Sequence, residues 1–208
     1  MYKLYYSPGA CSMAIHVLLN ELGQKYEAVN ANAPGTKTRT PEFLKISPRG
    51  TVPVLEDDGH VIKEGAAIML HLLNKHKSAL LPESGFERAE TLEWLMFGNS
   101  TLHPAYARGF GALYKITGDA QKQVLALAVD QINTLWKEVD AKLAKSEYVT
   151  GKNITVADIL LTVIANWSGN FEGIVFGENT KRLLRAVSSR PAYQKALQAE
   201  NVEYKAAA

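Results

Sequence analysis

The hydrophobic pattern of this 208-residue chain changes period once, and that change limits the folds open to it. Up to residue 76, short runs of β-forming residues alternate with short amphipathic stretches. A segment at 77–85 carrying Pro82 and Gly85 follows, and beyond it every long apolar pattern repeats at helical spacing. Strand and helix in alternation, then helix alone, predict an α/β domain joined to an all-α domain.

Within the first 76 residues, Tyr2–Tyr6 reads as a strand and 12–22 as a helix. Met13, Ala14, Val17, Leu18 and Leu22 share one face of that helix, and Gly23 stops it. Tyr26–Asn30 reads as a second strand, which completes a β-α-β unit and predicts a parallel pair. Thr40-Pro41-Glu42 is a helix start with a hydroxyl cap and proline in the first turn. Val52–Glu56 and His60–Ile62 flank the hairpin signal Asp57-Asp58-Gly59, and a helix follows over 66–74. The order β-α-β-α-β-β-α is that of the thioredoxin-like fold. In the second half, 86–113 predicts one long helix bent near Gly109 and Gly111. The stretch 120–144, with Leu127, Ala128, Ile132, Leu135 and Val139, predicts another helix. Val156–Trp167 is nearly all apolar and predicts the buried central helix. Helices near 180–189 and 191–199 follow, and Ala206–Ala208 reads as a frayed tail. Thr155-Val156-Ala157-Asp158 is a capping-box variant, a folding element rather than a site.

Composition narrows function by exclusion. A formal net charge of +2 with no dense Lys/Arg tract gives no footprint for nucleic acid. No apolar run approaches the roughly 20 residues that span a bilayer. The single cysteine forms no intramolecular disulfide and fits a reducing, cytoplasmic setting. That cysteine, Cys11, lies in Tyr5-Tyr6-Ser7-Pro8-Gly9-Ala10-Cys11-Ser12, a turn between strand and helix. Unpaired amides at a helix start favour a thiolate, and three neighbouring hydroxyls are possible donors. A dithiol motif would need a second cysteine at position 14, which is Ala14. A reaction at Cys11 therefore needs sulfur from outside, which points to a small thiol.

Four segments carry a resemblance. They are the Cys11 turn, Ser47-Pro48-Arg49-Gly50-Thr51-Val52-Pro53-Val54-Leu55, Glu64-Gly65-Ala66-Ala67-Ile68, and Gly151-Lys152-Asn153-Ile154-Thr155-Val156-Ala157-Asp158. In this order they resemble the glutathione S-transferases, in particular the bacterial beta class, over essentially the whole chain. The resemblance implies a thioredoxin-like glutathione-binding domain at 1–76 and an all-helical domain at 86–200 that forms an electrophile pocket. It also implies a homodimer, a detoxifying role, and glutathione as co-substrate with no cofactor and no metal.

Site residues follow from the same resemblance. Val52, ahead of Pro53 in a cis turn, pairs with the cysteinyl backbone of glutathione like an added strand. Glu64 meets the γ-glutamyl ammonium, and amides at Gly65 and Ala66 hold its carboxylate. Lys37 reaches for the glycyl carboxylate. Cys11 forms a mixed disulfide with glutathione, or Tyr6 or Ser12 donates a hydroxyl hydrogen bond that lowers the thiol pKa. Tyr5 and Tyr6 face opposite sides of their strand, and Tyr6 matches the family position. His103 stands beside the sulfur and the electrophile, with Pro104 after it as a source of a kink. Asn99 is placed to substitute for an asparagine that family relatives carry where this chain has Met96. Two alternatives stay open: a thiol-disulfide reductase or peroxidase acting through Cys11, and a non-catalytic binding module on the same scaffold.

Overall fold

The computed structural model of the protein describes residues 1–206, so positions 207–208 of the alanine tail lie outside the described residues. The chain divides into two compact units, Met1–Glu83 with Ser189–Glu203, and Ser84–Ser188 with the residues from Tyr204.

The first unit is thioredoxin-like. Strands β1 (Tyr2–Tyr6), β2 (Tyr26–Asn30), β3 (Val54–Asp57) and β4 (His60–Lys63) form one mixed sheet in the order β2-β1-β3-β4. β1 and β2 are parallel, joined through helix α1 (Met13–Glu21), whose residues Met13–Leu19 are all buried. The β3–β4 hairpin turns at Asp58 and Gly59, both with positive φ, as a two-residue hairpin turn requires. Helix α2 (Pro41–Ile46) starts as predicted, with Thr40 Oγ1 accepting the Phe43 N–H at 3.2 Å. Helix α3 (Gly65–Lys75) buries Ala66, Ile68, Met69, Leu72 and Leu73.

The second unit is helical, and its first half departs from expectation. A single helix bent near Gly109 and Gly111 does not form. Helix α4 (Gly85–Met96) passes into a π-helical segment, Phe97–Leu102, before helix α5 (His103–Lys115). Pro104 has no N–H for the carbonyl four residues earlier, and the chain relaxes into wider turns just ahead of it. Helix α6 (Gly118–Leu143) buries Ala128, Ile132, Trp136, Val139 and Leu143; Ala128, Ile132 and Val139 lie on the predicted inner face, while Leu127 faces solvent. Helix α7 (Val156–Ala165) is buried at all ten positions. Its capping box forms, with Asp158 Oδ2 accepting the Thr155 N–H at 2.8 Å. Helix α8 (Glu178–Ser188) closes the unit.

The last helix corrects a boundary. The expected helical domain runs to residue 200, but helix α9 (Pro191–Glu200) belongs to the first unit. The cause is a set of polar ties onto α1. Arg190 grips Glu21 through two bonds of 2.6 and 2.8 Å, and Asn20 donates to the Ala192 carbonyl at 3.1 Å. His16 Nδ1 donates to Glu200 Oε1 at 2.9 Å, and both side chains are almost wholly buried.

Candidate active site

Strand register assembles the edge on which the site is built. Tyr5 of β1 pairs with Val54 of β3, and Val54 pairs with Lys63 of β4. The end of β1, the Val52-Pro53 step and Glu64 therefore lie side by side at one end of the sheet. The loop from β1 to α1, the entry to β3 and the start of α3 all converge there.

The Cys11 loop is pinned from several directions. Ser12, fully buried, accepts the Ser7 N–H at 3.1 Å and donates to the Ser7 carbonyl at 3.3 Å. Asn32 Nδ2 donates to Ser7 Oγ at 3.0 Å, and Arg39 donates to Asn32 Oδ1 and, at 2.8 Å, to the Gly50 carbonyl. On the far side, the Gly9 N–H donates to Glu200 Oε2 at 2.9 Å. Cys11 Sγ–H donates to the Val52 carbonyl at 3.4 Å, and the Val52–Pro53 peptide is cis. Cys11 and Val52, both proposed from the sequence, are thus brought together.

The expected thiolate is not what this loop favours. Burial pushes the Cys11 thiol up to about 11, outweighing the Cys11 and Ser12 amides and the Arg39 charge that act the other way. The helix proper starts only at Met13, so Cys11 stands before its N-cap, Ser12, where the dipole acts weakly. The cluster of hydroxyls around the sulfur does not form either. Ser12 is committed to Ser7, and the Tyr6 ring packs on His16 with centroids 5.6 Å apart. Tyr5 joins Ala31, Phe43 and Val54 in a core cluster that Val52 packs against.

Glu64 adopts φ +71° at the head of α3, and Arg49 Nη2 meets its Oε1 at 2.8 Å. Ala66 is buried one turn-step on, and the first amides of α3 have no partner within the helix. Lys37 lies in an exposed turn where the Ala33 N–H donates to the Thr38 carbonyl. Sequence reasoning named Lys37 for the glycyl carboxylate and gave no role to Arg39, two residues on, whose charge acts on Cys11. It also missed Glu200, which only the return of α9 brings to the loop.

The second unit carries His103 within an aromatic group. Its ring lies 5.0 Å from Trp167, which lies 5.8 Å from Tyr106 and 6.2 Å from Phe110. Phe110 stacks on exposed Tyr114 at 6.2 Å and meets Phe171 at 4.9 Å. Burial lowers the His103 pKa, so the imidazole is neutral at pH 7. Tyr106 accepts from Trp136 Nε1 at 2.8 Å and pairs with Ser168 at 2.5 Å; burial pushes its phenol up to about 12. Asn99, in the π segment, donates weakly to Ser100 at 3.5 Å. Among the described residues, no three acidic, histidine or cysteine side chains gather to hold a metal, and no helix is long and apolar enough to cross a membrane.

Comparison with known proteins agrees with this architecture. Residues 1–74 match the glutathione S-transferase N-terminal domain and residues 94–191 the C-terminal domain. The glutathione S-transferase GstA of Escherichia coli O157:H7 is 29% identical, over 97% of this chain and 100% of its own. The glutathione S-transferase GST-4.5 of Xanthomonas campestris pv. campestris is 32% identical, over 80% of this chain and 82% of its own. A sphingomonad glutathione S-transferase complexed with glutathione superposes with a TM-score of 0.82 at 30% identity, covering 97% of this chain and 100% of that one. With both family domains present in order and relatives matched along nearly their full length, the chain belongs to the glutathione S-transferase family.

Proposed function

We infer that this protein is a glutathione transferase that adds the glutathione sulfur to a small electrophile. The observation that carries the reading is the shared sheet edge, where Cys11 touches the Val52 carbonyl and the same register sets Glu64 beside it. A tripeptide laid along that edge pairs its cysteinyl backbone with Val52. Its γ-glutamyl ammonium meets Glu64, and the Gly65 and Ala66 amides receive the α-carboxylate. Its sulfur then arrives at Cys11.

With its pKa near 11, Cys11 is a protonated donor at neutral pH. Its S–H turns from the Val52 carbonyl to the incoming sulfur and stabilises the glutathione thiolate. The glutathione thiol gives its proton to solvent. The thiolate then attacks an electrophilic carbon, a carbon–sulfur bond forms, and the leaving group departs with the bonding electrons. The aromatic group around neutral His103 and Trp167 offers flat apolar surface to an aromatic electrophile. Thiol-disulfide exchange is disfavoured because it needs Cys11 as a thiolate.

The finer assignments belong to the same proposal. The Ser-Pro-Gly-Ala-Cys turn and the bacterial relatives support the beta class, and with it a homodimer. A lone, partly buried thiol supports a reducing cytoplasm and a detoxifying role there. Calorimetry with glutathione, followed by product analysis with a chlorinated nitrobenzene, tests the reading. Saturable heat and a thioether product are expected. No heat with glutathione, or bound glutathione with no thioether, refutes transferase activity.

A further inference from the structure

Arg49, the partner of Glu64, is used by nothing in the mechanism above. It sits on the γ-glutamyl end of the proposed glutathione edge, and the argument rests on that reading. Both side chains are about two-thirds exposed, at 69% and 68%, and a single bond of 2.8 Å joins Arg49 Nη2 to Glu64 Oε1. An exposed pair of this kind contributes little to folding. It is therefore free to be shared with a ligand at small cost. A guanidinium carries five N–H donors in a planar fork, and the one recorded bond leaves most of them facing outward.

The pair presents a cation and an anion in fixed contact at the head of α3. Its complement is a ligand end that holds an anion and a cation on one carbon, the zwitterion of an α-amino acid. We propose that Arg49 is a substrate-binding residue that grips the γ-glutamyl α-carboxylate, so that Arg49 and Glu64 together read the zwitterion. Gly65 has no side-chain donor for that carboxylate, and the α3 amides come from one side only. Arg49 closes the other side with the bidentate geometry that favours a carboxylate. Glu64 keeps the fork in place before the ligand arrives and takes the ammonium afterwards. Lysine at position 49 would supply charge without the fork.

The test uses wild type, Arg49→Ala, Arg49→Lys and Glu64→Gln with three ligands, by calorimetry at one ionic strength. The ligands are glutathione, its analogue lacking the α-carboxylate (4-aminobutanoyl-Cys-Gly) and its analogue lacking the α-amino group (glutaryl-Cys-Gly). Wild type is expected to bind both analogues about tenfold or more weaker than glutathione, as loss of a charge-assisted bond implies. Arg49→Ala should bind glutathione about tenfold weaker and separate it about tenfold less from the analogue lacking the carboxylate, because the α3 amides remain. It should still reject the analogue lacking the amine. Glu64→Gln should show the reverse pattern, and Arg49→Lys should fall between wild type and alanine. If Arg49→Ala binds glutathione as tightly as wild type, or more tightly, Arg49 is only a competitor for Glu64 and the assignment fails. Full discrimination against the decarboxylated analogue in Arg49→Ala overturns it equally. Absence of glutathione binding by wild type is a separate result, and it overturns the underlying reading together with this one.

Discussion

Replacing Glu200 should unfasten the Cys11 loop from a helix almost two hundred residues away in sequence. Glu200 is buried and accepts two hydrogen bonds of 2.9 Å, from His16 Nδ1 and from the Gly9 amide. Glu200→Ala removes both, from the buried His16 ring and from the half-buried Gly9 amide. Hydrogen bonds to a charged group are each worth about 1.5–3 kcal/mol, so a loss of about 3–5 kcal/mol is expected. Glu200→Gln retains one oxygen for Gly9, while its amide nitrogen needs His16 to present a bare Nδ1. That tautomer change is compatible with the ring, so the glutamine variant should lose only about 1–2 kcal/mol. All three tryptophans lie in the other unit, so fluorescence is the wrong probe. Urea unfolding followed by far-UV circular dichroism gives the global figure. Hydrogen exchange at the Gly9 amide gives the local one. A loss below about 1 kcal/mol in Glu200→Ala, with Gly9 still protected, would falsify the claim that this carboxylate holds the loop.

Three further outcomes follow from the same physics. Alkylation of Cys11 by iodoacetamide should rise tenfold per pH unit from pH 8 to 10, because its pKa lies near 11; a plateau below pH 8 contradicts this. Burial raises the Asp158 carboxyl from 3.8 to about 6, so the folded state holds that proton more tightly than the unfolded state does. Its contribution to stability is full below pH 4 and falls by on the order of 3 kcal/mol as pH rises through 6. The difference in urea midpoint between wild type and Asp158→Asn should therefore vary across pH 4–7, and a flat difference counts against it. In Gly109→Ala the new Cβ would stand 2.6 Å from Phe171 Cε1, so about 1–3 kcal/mol of stability and the near-ultraviolet aromatic signal should both be lost. Unchanged spectra and stability would mean Phe171 moves freely.

Local patterns in the sequence identified many elements of both units because each carries its own punctuation. Thr40 caps α2, Asp58-Gly59 turns the hairpin, and Thr155 with Asp158 starts α7. The candidate site was legible to the extent that it is built from contiguous motifs, so Val52, Glu64 and Cys11 were proposed together. Long-range partners left no local trace. Nothing near Cys11 announces Glu200, and nothing near Glu64 announces that Arg49 pairs with it. The thiol was misjudged because a dipole argument counts neighbouring amides and ignores the burial that outweighs them. The sequence offered both the glycines and Pro104 as sources of a bend in the first long helix, and the change of pitch lies just ahead of Pro104, which lacks the N–H that an α-helical turn needs.

The return of α9 has a consequence for how the molecule comes into being. The surface of α1 that receives Ala192, Glu200 and Arg190 is completed by residues made at least 169 positions after it. A nascent chain that ends at residue 83 holds the sheet with α1 half clothed, and the bond from the Gly9 amide to Glu200 is not yet made. The Cys11 loop is therefore held in full only after the whole intervening helical unit, Ser84–Ser188, has been made.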